Sequence, residues 1–271
     1  MNNLKTVFVS LCDSKYFDKA KQTITELRIF GKWNGQIILI VVGELSNDPK
    51  FFSHYNVLQK SFPKIDTSVL LSNIGPEGFR DSIDKREIHK LNQWEKFHVF
   101  DDYFRQWKRV VFLDAGMRIF DNVKYLLELD YDGAILAPND AGPYLRADKI
   151  FSTQVSFDKP ELIAKIKADF SPDILESHYF LNCLWIYDTA ILDICDKNKL
   201  VWAMNEYPLC KTNEMTIMNL LFRNVWREFP IKASNKKYLF EWCETNHPHP
   251  TTWRDYCCMK YPMTQPKYFR H

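Results

Sequence analysis

The chain has 271 residues, 46% of them hydrophobic and 15% aromatic, which is enough to bury a sizeable core and too apolar for a disordered segment. Its 36 basic and 34 acidic residues leave a formal charge of +2, so it lacks the basic field that phosphate-backbone binding requires, and nucleic acid is excluded as an expected partner. No apolar run approaches the ~18 to 20 residues of a membrane span, the start MNNLK lacks a signal-peptide core, and the seven cysteines show no CxxC spacing, so a reducing, cytoplasmic setting is expected.

Strand-like and helix-like segments alternate without a low-complexity linker or internal repeat, the pattern of an α/β chain built from βαβ units. Thr6 to Leu11 reads as a first strand, and Tyr16, Ala20, Ile24 and Leu27 follow at helical spacing until Gly31 ends the helix. Gln36 to Val42 is an apolar second strand, and Asp66 to Leu71 a shorter third one before the turn-rich NIGPEG. From about Asp84 to Phe104 the pattern is helical, with Ile88, Leu91, Trp94 and Phe97 at three-residue steps.

The next segment, RVVFLDAGMRIF from Arg109 to Phe120, carries the strongest local signal. Val110 to Leu113 is a β-branched and aromatic run suited to a strand buried on both faces, and Asp114 emerges at its C-terminal edge. Open α/β sheets bind ligands at such an edge, although Asp and Gly are also ordinary turn residues. Further on, Ala134 to Pro138 reads as a strand, Asp158 to Asp169 as a helix and Tyr179 to Tyr187 as an aromatic strand. Thr212 to Phe222 has Met215, Met218, Leu221 and Phe222 at helical spacing, and beyond Pro230 come a short strand, Lys237 to Trp242, and a tail rich in Pro, His and aromatic residues.

Seven segments fit one family in order: VFVSLCDSKYFDKA (Val7 to Ala20), HKLNQW (His89 to Trp94), FLDAGMRIFDN (Phe112 to Asn122), APNDAGP (Ala137 to Pro143), YFLNCLWIYD (Tyr179 to Asp188), EMTIMNLLF (Glu214 to Phe222) and NHPHPTTW (Asn246 to Trp253). Over roughly residues 6 to 250 the chain resembles the glycogenin-like and galactinol-synthase-like members of glycosyltransferase family 8. The resemblance implies a GT-A fold, with a Rossmann-like, mostly parallel central sheet flanked by helices. It implies a single domain over 1–271 with a less regular segment 231–271, and a retaining hexosyltransferase that moves a sugar from a UDP-sugar to a carbohydrate or glycoprotein acceptor.

Carried over by position, Leu11, Cys12, Asp13 and Tyr16 would surround the uracil and ribose, and Lys90 would meet a donor phosphate or the ribose as a point charge. Asp114, Ala115 and Gly116 stand at the family's D-x-D, whose acids serve the diphosphate and a Mn²⁺ or Mg²⁺ ion. His247 or His249 would join Asp114 as a metal ligand. Asn182 would hydrogen-bond the donor, Asp140 would hold its sugar, and Glu214 would face the anomeric carbon as nucleophile or as stabiliser of an oxocarbenium-like centre.

The chain departs from the family at Gly116, which replaces the second acid, at Leu184, which replaces a glycine, and at Met215, which replaces a glutamine. With one acid missing, Lys90 or Arg118 could take over charge neutralisation. The departures keep a second class open, a catalytically inactive GT-A module that binds nucleotide, glycan or a protein partner. Single residues also have plainer readings: Asp13 as a helix cap, Glu214 as an acid favoured at a helix N-terminus, Lys90 as a solvated surface residue.

Overall fold

The computed structural model describes residues 6–45, 48–74, 88–130, 132–141, 148–211, 213–230, 238–242 and 256–260. The main elements in chain order are β1 (Thr6–Cys12), α1 (Phe17–Ile29), β2 (Gln36–Val41), α2 (Pro49–His54), β3 (Val57–Lys60), α3 (Ser68–Ile74), two 3₁₀ segments (Ile88–Phe100 and Asp102–Gln106), β4 (Arg109–Leu113) and β5 (Met117–Ile119). They continue with α4 (Lys124–Leu127), β6 (Ile135–Ala137), α5 (Pro160–Asp169), β7 (Leu184–Asp188), α6 (Lys197–Glu206), α7 (Glu214–Phe222), β8 (Trp226–Glu228), β9 (Tyr238–Trp242) and β10 (Tyr256–Lys260). One sheet has seven strands in the order β3-β2-β1-β4-β7-β6-β8, and a second has three, β5-β10-β9. Among the described residues no helix is long and apolar enough to cross a membrane.

The chain falls into two compact units. The first comprises Met1–Ser61, Val111–Asp132 and Phe229–His271. Here β1 runs parallel to β2, from Val7 opposite Gln36 to Cys12 opposite Val41, and β2 runs parallel to β3. Parallel neighbours need a crossover, and α1 supplies it between β1 and β2. Its residues Phe17, Ala20, Ile24 and Leu27 are buried, with Asp18 in the first turn and Arg28 in the last, the charge order the helix dipole favours. Gly31 stops the helix where a Cβ would stand 2.5 Å from the Leu27 carbonyl oxygen, a contact no other residue could make.

A buried ion pair ties α1 to β5. Arg118 is 1% exposed, and its guanidinium forks onto Glu26, with Nε at 2.8 and 3.0 Å from the two carboxylate oxygens and Nη2 at 2.7 Å. The Glu26 carboxylate also accepts from the backbone N–H of Ile119 at 2.9 Å. On its other side β5 is paired antiparallel by β10, which also runs parallel to β9.

The second unit comprises Phe62–Val110 and Gly133–Glu228. Its core is aromatic. Phe100 lies with its ring centroid 6.0 Å from Trp185, 5.0 Å from Tyr187 and 4.9 Å from Phe222, and Trp94 and Phe97 are fully buried beside it in sequence. Each such side chain contributes about 1.5–3 kcal/mol by leaving water.

Most expected elements are present, and three expectations need correction. Asp66 to Leu71 is not a strand: Asp66 Oδ1 accepts from the Ser68 N–H at 2.9 Å and opens helix α3, while the third strand is β3, ten residues earlier and at the sheet edge, where Leu58 is 44% exposed and no apolar run marks it. The aromatic strand begins only at Leu184, because Asn182 and Cys183 form a turn and Phe180 makes an isolated bridge to Asn139. The tail contributes β10, in which Cys257 and Cys258 point to opposite faces and are both fully buried. All six described cysteines are free thiols.

The Glu26–Arg118 pair yields a test. Glu26→Ala leaves a guanidinium buried without its carboxylate, so unfolding in urea is expected to show a loss of about 3–5 kcal/mol.

Candidate functional site

In the first unit, β1 ends in Leu11 and Cys12, both buried, and Asp13 follows as a local cap whose Oδ1 accepts from the Tyr16 N–H at 3.1 Å. Tyr16 is 42% exposed, with the Lys19 ammonium 5.2 Å from its ring centroid. Burial, and secondarily the Asp13 charge, push the Cys12 thiol up to about 12, so at neutral pH it is an uncharged contact and not a nucleophile.

Strand β4 lies next to β1 in the sheet and ends at Leu113. Asp114 to Met117 then forms a tight turn closed by the Met117 N–H on the Asp114 carbonyl at 2.9 Å. Gly116 has φ +86, the value a type II turn requires at its third residue and one that a side chain disfavours. Thr23 on α1 grips this turn twice: its hydroxyl accepts from the Gly116 N–H at 3.0 Å and donates to the Met117 carbonyl at 2.9 Å. The glycine in place of the second acid therefore serves the backbone path.

Of the metal ligands expected from the resemblance, only Asp114 is among the described residues. Asp114 offers one carboxylate, Gly116 none, His247 and His249 lie outside the described residues, and among the described residues no three His, Cys, Asp or Glu side chains come together as a metal cluster. Arg118, expected as a substitute cation, is buried and forked onto Glu26, so its charge is already offset.

In the second unit the structure brings Glu214 and Asn182 together and adds a residue that the sequence reading missed. Glu214, the first residue of α7, is 1% exposed. Its Oε1 lies 3.1 Å from the Lys96 ammonium, itself buried, and accepts a hydrogen bond from Asn182 Nδ2. Lys96 also donates to the Asn182 carbonyl at 3.4 Å. Lys90 lies on the same 3₁₀ segment as Lys96. No local pattern marks Lys96, because its partner Glu214 lies more than a hundred residues away.

Asp140 is apart from this cluster in its contacts. It accepts from the Tyr179 hydroxyl and pairs with Lys149 at 3.2 Å. Burial first, and then the Asp140 charge, raise the Tyr179 phenol well above its ordinary value, which keeps it a protonated donor. Asn219, also on α7, accepts from the Phe180 N–H at 2.8 Å and donates to its carbonyl at 3.0 Å, fixing the chain just before Asn182.

No family model matches the sequence, and no curated protein matches it. Solved structures do. The galactosyltransferase LgtC in complex with donor and acceptor sugar analogs matches at 12% identity and a TM-score of 0.56, over 94% of this chain and 86% of that one. The apo structure of the bifunctional glycosyltransferase WbbM matches at 15% identity and 0.53, over 89% of this chain but only 40% of that one, so this chain spans about two fifths of it. The mannosyltransferase Ktr4p from S. cerevisiae matches at 12% and 0.51, over 83% and 68%. The chain has the GT-A fold of these glycosyltransferases, with a seven-stranded, mostly parallel sheet.

Two substitutions test the geometry. Gly116→Ala and Gly116→Asp are both expected to cost about 1–2 kcal/mol, because each places a Cβ at φ +86; a larger loss for Asp alone would assign the effect to charge. Lys96→Met strands a buried carboxylate and is expected to cost about 3–5 kcal/mol, whereas Lys96→Met combined with Glu214→Leu removes both charges and should cost clearly less in the same urea titration.

Proposed function

We propose that this chain is a glycosyltransferase that moves a hexose from a UDP-sugar to a carbohydrate or glycoprotein acceptor with retention, a member of glycosyltransferase family 8 acting as a single domain over 1–271. The observation that carries this reading is the buried Lys96–Glu214–Asn182 cluster on a GT-A scaffold. Burying two charges is expensive, and a cluster that only stabilised the fold would be served as well by apolar residues.

In the first unit, Leu11, Cys12, Asp13 and Tyr16 are proposed for the base and ribose, and Asp114, Ala115 and Gly116 for the diphosphate. In the second unit, Asp140 and Asn182 are proposed for the donor sugar, and Glu214 for the anomeric centre. As UDP leaves, positive charge develops at the anomeric carbon, and a carboxylate fixed in a water-poor setting stabilises it more than it could in water. Lys96 and Asn182 hold that carboxylate at a defined place, so it needs no reorganisation as charge appears. Since the described residues do not form a site for Mn²⁺ or Mg²⁺, no step here is assigned to one.

UDP is expected to raise the melting temperature by mass action, GDP to raise it less, and Asp114→Asn to abolish the shift. Glu214→Gln should keep UDP binding and lower turnover of a UDP-sugar by ~10²-fold or more. Chelation should lower turnover less than in enzymes with both D-x-D acids. UDP binding without any turnover would favour the inactive module, and no UDP binding would overturn the proposal.

A further inference from the structure

The Ile88–Phe100 segment is a 3₁₀ helix of 13 residues, far beyond the three or four residues such helices usually reach. Its geometry stacks every third residue more strictly than an α-helix does. With three residues per turn, positions i and i+3 eclipse, so Gln93 and Lys96 stand one above the other on a single face. They engage consecutive residues across from them. Gln93 Oε1 accepts from Asn213 Nδ2 at 2.7 Å, and Lys96 pairs with Glu214 at 3.1 Å.

Asn213 is unusual in two further respects. It occupies the N-cap position of α7, where asparagine normally bonds a free backbone N–H of the first turn, yet its side chain makes no cap bond. Its backbone has φ 55 and ψ −131, a region that residues other than glycine rarely occupy and that persists only when the surroundings over-determine it. The side chain has given up its local partner to reach Gln93, in a residue that is 6% exposed.

We propose that Gln93 and Asn213 are positioning residues for Glu214: the pair pins the strained residue just before α7, and so sets the approach of the Glu214 carboxylate to Lys96 and to the reacting sugar. The last clause rests on the function proposed above; the setting of Glu214 against Lys96 does not.

Two measurements test it. In steady-state turnover of a UDP-sugar, Asn213→Gly and Gln93→Leu are each expected to lower kcat about ten-fold with KM unchanged, the signature of an interaction that matters in the transition state. Asn213→Asp should recover most of the loss, because the Gln93 amide can turn to donate to it. Glycine suits φ 55, so Asn213→Gly should melt no lower than the wild type. Unchanged kcat in both variants would overturn the proposal.

The second measurement needs no activity. Glu214→Gln should lower the melting temperature less in the Asn213→Gly background than in the wild type, and equal losses would overturn the proposal because residues that do not act on each other add. If the wild type turns over no UDP-sugar, the functional reading fails while this comparison still decides whether Asn213 positions Glu214. Gln93→Leu, at a half-buried position, serves as the background should Asn213→Gly fail to fold.

Discussion

Two opposite charges 3.1 Å apart, both nearly sealed from water, set the terms for the second unit. Removing a carboxylate and an ammonium from water costs several kcal/mol per ion, and their attraction repays this only if the remaining polar groups are also satisfied. Asn182 meets part of that need from both sides, its side-chain amide donating to Glu214 Oε1 and its backbone carbonyl accepting from Lys96. Asn182 makes both contacts from the turn it forms with Cys183, directly before β7 starts at Leu184. Asn219 closes the arrangement by taking up the backbone groups of Phe180 that a longer strand would have paired.

The pair also explains the tolerance of a long 3₁₀ helix. Such a helix has poorer hydrogen bonds than an α-helix, so its surroundings must offset the difference. Trp94, Phe97 and Phe100 recur every third residue and are all fully buried, so one 3₁₀ face is anchored in the aromatic core while the Gln93–Lys96 face meets the start of α7. Glu95 and His98 secure the segment from another side: Glu95 accepts from the His98 ring at 3.0 Å and from the Ile65 N–H at 3.2 Å, and His98 stacks on Phe62 at 4.6 Å between centroids. Hydrophobic burial and charge pairing thus impose the same period.

The legible parts of the sequence were those where one segment's pattern determined its structure. β1, β2 and β4 read clearly because strands of a parallel sheet are buried on both faces and spell continuous apolar runs. β3 did not, because an edge strand needs no such run, and β10 did not, because five residues holding two cysteines carry no period. Glu214 was picked out through the resemblance of EMTIMNLLF to the family's frame, and Asp114 from its place at a strand end. Lys96 could not, because its burial depends on a carboxylate more than a hundred residues away, and a lysine between Glu95 and Phe97 looks like solvent-facing chain. Thr23 was invisible for the same reason: its role lies in two backbone groups 93 and 94 residues distant. Spacing reports local geometry; a contact made by folding leaves no local trace.

Gly116 shows where motif reading and backbone physics part. Counting acids makes it a lost ligand, but the backbone gives it a positive task. At φ +86 the chain reverses from β4 into β5, and the exposed N–H is taken by Thr23. An aspartate there would face the cost of a left-handed backbone, which glycine avoids. The same turn delivers Arg118 into its fork with Glu26, which removes that cation from any role in neutralising a diphosphate. Within the first unit, Lys21 is likewise paired, with Asp18 at 3.0 Å and Asp48 at 3.6 Å. Lys19, in the first turn of α1, has its ammonium 5.2 Å from the centre of the Tyr16 ring. Charge compensation from this unit's own side chains therefore falls to lysines near the loop after β1, such as Lys15 and Lys19, rather than to the arginine that the sequence suggested.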